Sequence, residues 1–426
     1  MKNEYLNNQE VPERVLVVVA DLKGSRSSWT NEDELAELKE LVRASGAQIV
    51  GSLSFHIATP SPKNLIGDYK TEEIVQACRE TGADTVVFSH ELKGNQQRNL
   101  EEVIQCKTID RTQLILDIFA RHATSKEGKM QIELAQLEYL LPRLVGKGIE
   151  LSRLGGGIGT LGPGETKLEV DRRRISDRIA RLKKGLQQIS QNRQLNRKQR
   201  FKKGLPSVSL VGYTNAGKST LLNQLTQANQ KTRDGVFTTL DSLSRQFVLP
   251  NHQKIIVSDT VGFMHALPHD LIESFKATLE EVKEADLLMH VVDISHPNFR
   301  KLFDAVEDVL EELDVLKKPT LIVFNKTDRL EDRVWLEQFL DNFEHAVCIS
   351  ALNGEGLDAL FQEIITMLSA MFVEINVNIP IDRMDLVSLV HEEGEVYSVK
   401  YYNDRINIRA AVPSRLSGKF TNLEVK

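Results

Sequence analysis

Gly212, Gly217, Lys218 and Ser219 stand in the spacing G-x-x-x-x-G-K-S, directly after the apolar run 208–211. A strand, a glycine turn and a helix start in that order make an anion cradle. The glycines let the chain curl so that successive N–H groups point at one phosphate, with Asn215 and Ala216 completing the loop. The helix opening at Thr220 adds its dipole to the same point. Lys218 is long enough to reach the outer phosphates of a nucleotide, and the Ser219 hydroxyl suits Mg²⁺.

Four more segments fit the same ligand. Thr239, in the polar stretch around Phe237, offers a hydroxyl to Mg²⁺ and a backbone N–H to a terminal phosphate. Asp259 and Gly262 end the apolar run at 255 in the pattern D-T-V-G; the carboxylate would hold Mg²⁺ through water, and the glycine N–H would touch the terminal phosphate. Lys218, Thr239 and Gly262 are thus the candidate catalytic groups. Asn325, Lys326 and Asp328 form N-K-T-D after another apolar run. A carboxylate at 328 accepts both N1–H and the exocyclic amine of guanine and rejects adenine, which lacks that donor pair. Lys326 would lie along the base, and Asn325 would brace the loops. Ser350, Ala351 and Leu352 close the set, with the Ala351 N–H facing guanine O6. The expected cofactors are GTP and Mg²⁺, and the expected reaction is hydrolysis of GTP to GDP and phosphate.

These loops need a parallel sheet to hold them, and the runs at 208, 255, 287, 321 and 347 supply its strands. A chain of 426 residues exceeds one core, so further domains are expected. The run 15–20 reads as a buried parallel strand, followed by a helix over 31–44 with Leu35, Leu38, Leu41 and Val42 on one face and Asn31 as its cap. Strands over 48–55, 85–89 and 107–109 alternate with helices over 71–79 and 95–105, which describes a second α/β sheet without a phosphate loop.

From Met130 the period changes. Met130, Leu134, Leu137, Leu141 and Leu144 recur at intervals of four and three, as do Ile175, Ile179, Leu182, Leu186 and Ile189. Each set reads as a coiled-coil seam, and two such helices would pack antiparallel. Their connector holds Gly155, Gly156, Gly157, Gly159, Gly162 and Gly164. Gly157, Gly159 and Gly162 match a dinucleotide fingerprint in form, but no buried strand precedes them and Pro163 interrupts the helix start. A stiff hairpin tipped with glycine makes a probe for a narrow space. Its second arm is basic, with Arg172, Arg173 and Arg174 at the start and ten further Lys or Arg residues to Lys203. In a chain of net charge −6, such local density favours a phosphate backbone. Aromatic residues are nearly absent from it, so structured RNA read by charge and shape is expected rather than stacked bases or DNA.

The order of these motifs resembles translation-factor-type GTPases. The segment from Gly155 to Arg173, the stretch D-R-T-Q-L-I-L-D-I-F from Asp110 and Q-I-E-L-A-Q-L from Gln131 are similar to the HflX family. That resemblance runs from about residue 36 to 368 and implies a ribosome-associated GTPase. Its N-terminal region would dock on the 50S subunit, its loop would point toward the peptidyl-transferase centre, and its GTP form would split stalled 70S ribosomes under stress. Where the family usually has arginine, Leu161 stands here, which removes a cation aimed at ribosomal RNA and raises a role in relieving antibiotic-stalled ribosomes. The runner-up is a GTPase of large-subunit assembly or rRNA remodelling. Phe263 occupies the place where Ras-like enzymes carry a water-orienting glutamine. Asn215 resembles the asparagine of potassium-activated GTPases, which would make K⁺ a further cofactor; the other reading is that it only shapes the loop.

The tail reads as a small α+β domain, with a strand from Glu374, a helix over 382–390, and a hairpin of 395–401 with 405–411. The resulting fold class is α/β. An N-terminal α/β domain (1–124) and a helical hairpin (125–203) precede a GTPase domain with a parallel sheet (204–373), and a small α+β domain (374–426) follows. Three scattered cysteines read as reduced thiols of a cytoplasmic protein. The first ten residues lack the apolar core of a signal peptide, and no run approaches the ~20 residues of a membrane span. A monomer is expected.

Overall fold

The computed structural model describes residues 12–22, 29–144, 167–202, 205–226, 243–265, 276–370 and 372–423. The chain forms two compact units, one mainly of residues up to Gly185 and one mainly of residues from Leu186 on.

In the first unit β1 (Arg14–Leu22), β2 (Gln48–Ile57), β3 (Thr85–Phe88) and β4 (Lys107–Asp110) form a parallel sheet in the order β2-β1-β3-β4. The helices between them are α1 (Asn31–Ala44), α2 (Asp68–Thr81) and α3 (Gly94–Ile104), and α4 (Arg111–His122) follows β4. Val17, Val18 and Val19 have no exposed surface, because β1 lies inside the sheet with helices over it. The cap of α1 is Thr30, not Asn31. Thr30 Oγ1 accepts from the Asp33 N–H while the Asp33 carboxylate accepts from the Thr30 N–H, a reciprocal pair that fixes the helix start one residue earlier.

Two long helices follow, α5 (Lys126–Arg143) and α6 (Lys167–Lys202), and α6 runs through the boundary between the units. The expected seam of α5 is corrected. Of its residues only Leu134 is fully buried, while Gln131, Ile132, Ala135 and Tyr139 carry the buried face. That face packs on α4, so the first arm belongs to the N-terminal core rather than pairing only with the second. The anchor is Asp110, wholly buried. It caps α4 through the Gln113 N–H at 2.9 Å, accepts the Leu92 N–H at 3.0 Å and meets Arg143 at 3.3 Å. Arg143 lies 3.3 Å over the Tyr139 ring. On α6 only Leu182 is buried; Ile175, Ile179, Leu186 and Ile189 are half-buried.

The second unit holds a six-stranded sheet in the order β10-β9-β8-β5-β7-β6. Its elements in chain order are β5 (Ser207–Val211), α7 (Lys218–Thr226), β6 (Leu243–Val248), β7 (Lys254–Asp259), α8 (Lys276–Glu284), β8 (Leu287–Asp293), α9 (Phe299–Glu312), β9 (Thr320–Asn325), α10 (Trp335–Leu340), β10 (Ala346–Cys348) and α11 (Leu357–Ala370). All neighbours run parallel except the edge pair β6 and β7. The chain leaves β5 for one side and returns to β8 on the other, so the crevice at the carboxyl end of β5 is where such sheets bind ligands. Beyond it β11 (Phe372–Pro380), α12 (Met384–Glu393), β12 (Glu395–Tyr401) and β13 (Arg405–Pro413) make an antiparallel sheet, β11-β13-β12, with one helix on one face. Among the described residues no helix is long and apolar enough to cross a membrane.

Candidate functional site

The loop after β5 is held from below by the segment after β7. The Phe263 N–H donates to Gly212 O at 3.0 Å, and the Thr214 N–H donates to Phe263 O at 2.8 Å. Gly262 must lie against this loop, since a Cβ there would stand 2.8 Å from Thr214 Cα and 3.2 Å from Lys218 Nζ. Gly217 has φ +97°, and a Cβ on it would meet Asn325 Nδ2 at 2.2 Å, so both the turn and the contact require glycine. Asn215 adopts φ +62° and is exposed. Asparagine tolerates that left-handed geometry better than most residues, which gives it a structural reason to be there.

Lys218 opens α7 and is almost wholly buried. Its ammonium donates to Gly212 O at 2.9 Å and Tyr213 O at 2.8 Å, which fixes it beneath the loop. Burial lowers its pKa to about 8, against the opposing pull of Asp259. Its neighbour His290 on β8 is buried and stacks on Phe303; burial and the nearby ammonium push it down to about 3, so it is neutral. The Ser219 hydroxyl donates to Asp259 Oδ2 at 2.7 Å. A hydroxyl beside a carboxylate is a pair of hard oxygen donors, which fits Mg²⁺. Among the described residues no group of three His, Cys, Asp or Glu side chains is placed to hold a metal. Thr239, the third expected ligand, lies outside the described residues, while Thr220 follows Ser219 in the first turn of α7.

The base side is braced by Asn325, 2% exposed at the end of β9. Its Nδ2 donates to Ala216 O and its Oδ1 accepts the Ala351 N–H, each at 2.9 Å. One amide thus joins the phosphate loop to the segment of Ser350, Ala351 and Leu352. Ser350 Oγ donates to Asp328 Oδ1 at 2.6 Å and aims that carboxylate. Lys326, at φ +67°, is paired with Asp293 at 2.6 Å. Leu352 is 71% exposed at the rim. Sequence reasoning did not find Asp293, the Ser350 bond or His290. Asp293 had a signal, since it ends β8 where the neighbouring strands end in site residues.

The basic helix differs from its expected form. Arg178 makes a bidentate pair with Glu133 at 2.6 and 2.7 Å, and Lys183 meets Glu138 at 2.8 Å, so acids on α5 neutralise part of it. Arg174 stays 76% exposed, 3.7 Å from Asp171, and Arg172 and Arg173 are exposed. The tip residues Gly155, Gly156, Gly157, Gly159, Leu161, Gly162 and Gly164 lie outside the described residues.

Comparison with known proteins accounts for most of the chain. Residues 32–120 match the family described as GTP-binding GTPase N-terminal, and 122–200 match GTP-binding GTPase Middle Region. Residues 207–326 match 50S ribosome-binding GTPase, and 336–418 match the HflX C-terminal domain. GTPase HflX of Caldanaerobacter subterraneus is 44% identical over 396 residues, 93% of this chain and 91% of that one. GTPase HflX of Escherichia coli is 43% identical over 349 residues, 82% of each chain. A solved GTP-binding protein of Sulfolobus solfataricus in complex with GDP is 26% identical with a TM-score of 0.43, covering 84% of this chain and 99% of that one. The phosphate loop, the guanine-side brace and the identity carried along the chain converge: it is a GTP-binding GTPase that belongs to the HflX family.

Proposed function

We infer that this chain binds the 50S subunit in its GTP form and splits stalled or idle 70S ribosomes, acting as a cytoplasmic monomer in stress or antibiotic response. The observation that carries this reading is that the segment holding the phosphate loop matches 50S ribosome-binding GTPases. The exposed Arg172, Arg173 and Arg174 at the start of α6 supply charge for an rRNA backbone, and the glycine tip of the arm is the part proposed to probe the subunit.

In the proposed cycle Asp328, aimed by Ser350, selects guanine, and the Ala351 N–H takes O6. Lys218 neutralises charge on the outer phosphates, and the Gly262 N–H touches the terminal one. Ser219 and Thr239, with Asp259 through water, would hold Mg²⁺, which when bound draws charge from the phosphate oxygens. Phe263 is buried, and its side chain can neither donate nor accept a hydrogen bond to the attacking water. Hydrolysis by the chain alone is therefore slow, and the ribosome supplies the missing alignment. Asn215 would hold K⁺ beside the phosphates if hydrolysis proves faster in KCl than in NaCl at matched ionic strength.

Sedimentation tests the function. Intact 70S ribosomes mixed with the protein and GTP should shift to subunit fractions, and with GDP they should not. Ribosomes that stay whole while the protein pellets with the 50S subunit would sink splitting and favour the assembly reading. Equal turnover with and without 50S subunits would reject ribosomal activation.

A further inference from the structure

The C-terminal sheet has two unlike faces. Ile375, Val377, Ile379, Ile406 and Ile408 are buried on the side that carries α12. The alternate residues form the other face, and the register sets Asn376 opposite Arg409 and Asn378 opposite Asn407, with Lys400 on the far side of Asn407. Asn407 Nδ2 donates to Oδ1 of both Asn376 and Asn378, at 3.1 Å each. Asparagine is depleted in strands. Three of them abutting in mid-sheet oppose local propensity and add nothing to the core, and departures of that kind concentrate at functional surfaces.

The amides are flanked by available cations. Arg405 and Arg409 are 52% and 60% exposed. Their acidic neighbours, Asp404 at 3.9 Å and Glu374 at 3.3 Å, are themselves more than half exposed. Pairs so open to water are worth little, so a phosphate can displace them. The Arg405 guanidinium lies 5.7 Å from the ring centroid of Tyr402, which is half exposed. A flat ring, two guanidinium groups and a row of amides are the three kinds of contact that unpaired nucleotides use.

We propose that this face of the C-terminal sheet binds a short single-stranded RNA segment. Arg405, Arg409 and Lys400 take its phosphates, and Tyr402 stacks a base. Asn376 and Asn378 accept from Asn407 through oxygen, so each keeps its amide N–H groups as donors to base edges. A protein partner fits less well, because protein interface cores are depleted of charge and this face has a basic central strand. A duplex fits less well too, because it hides the base edges that amides read. The inference stands apart from ribosome splitting, and its test keeps the two separate.

The test uses the full chain with a fluorescein-labelled single-stranded RNA oligonucleotide and its duplex, read by anisotropy. One variant combines Arg405→Ala and Arg409→Ala; a second combines Asn376→Thr, Asn378→Thr and Asn407→Val. Each should weaken single-strand binding by about tenfold, consistent with loss of a few phosphate and base contacts. The second should keep or raise the melting temperature, because strand-favouring residues replace asparagine. GTP binding and ribosome pelleting are measured on the same samples. Unchanged RNA affinity overturns the proposal. So does a fall in RNA affinity seen only with a fall in melting temperature, which makes the asparagines structural. Ribosome pelleting lost while RNA affinity holds would also overturn it and give the face to a ribosomal protein.

Discussion

The guanine site and the basic helix both bind phosphate-bearing ligands, but they hold their charges in opposite ways. At the site the working groups are buried and each is fixed by a neighbour: Lys218 by two carbonyls, Asn325 by a carbonyl and an N–H, Asp328 by a hydroxyl. On the helix Arg172 and Arg174 stand in water. Buried, oriented groups discriminate, because an unmatched ligand leaves them unpaired. Exposed charges attract, and salt screens them. One region sets which nucleotide is bound; the other sets how strongly a polyanion is held.

The largest effect should come from the most oriented group. Asp328→Asn replaces a charged acceptor of two hydrogen bonds with an amide that both donates and accepts. GTP affinity should fall by at least about a hundredfold, the order expected for losing a charge-assisted pair in a half-buried site. Xanthine nucleotide, whose 2-oxo group accepts from the amide, should gain in the same competition titration. Equal GTP affinity in the two proteins would break the contrast at its discriminating end.

Much of the site was legible for a physical reason. A phosphate loop works through its backbone, and the backbone needs particular residue types, so Gly212, Gly217, Lys218 and Ser219 announce themselves. The strands of both parallel sheets were legible because burial on both faces leaves continuous apolar runs. Edge strand β6, L-S-R-Q-F-V, was missed, since its half-exposed residues become a strand only by pairing with β7. The buried face of α5 was misjudged for a similar reason. Its leucine spacing is real, but Gln131 and Tyr139 go inside because the Asp110 and Arg143 anchor draws that face onto α4. Hydrophobic period cannot show a polar anchor contributed by another element.

The pH dependence of nucleotide binding sharpens the contrast. Lys218 has a pKa of about 8 in the free fold, below its ordinary 10.5. Between those values the unfolded chain carries more protons than the folded one, so this group makes the free protein more stable as pH rises through that window. Phosphates favour the charged ammonium, so binding GDP should take up a proton there. Affinity should then fall by up to about tenfold per pH unit above pH 8, the limit for one linked proton. Titration calorimetry at pH 9 in two buffers of different ionisation enthalpy reads the uptake directly. Identical heats would show that the buried ammonium keeps its proton without a ligand.

On the helix the effects should be smaller and depend on salt. Neutralising Arg172, Arg173 and Arg174 together should weaken 50S binding about fivefold near 0.1 M salt and make the log–log salt slope shallower by about two to three, roughly one released counterion per lost contact. GTP affinity should not move. An unchanged slope would assign these arginines to a solvated face and leave the polyanion to other parts of the chain.

The smallest effect belongs to Arg178, and its sign separates two kinds of cation on one helix. Its side chain is about as exposed as many in the run, but Glu133 already takes both of its forward N–H groups and is held below the usual carboxylate range by that bond. Such a pair is nearly silent in a polyanion's field, because little counterion is condensed on it to release. Arg178→Gln should therefore leave the melting temperature and the 50S salt slope where they were, since an exposed ion pair adds little to stability. Glu133→Gln should do the reverse: it frees the guanidinium, steepens the slope by about one and strengthens binding at low salt. If Arg178→Gln flattens the slope instead, the pair must open on the ribosome. The charges of the helix would then be counted by what the bound state demands rather than by how the free fold pairs them.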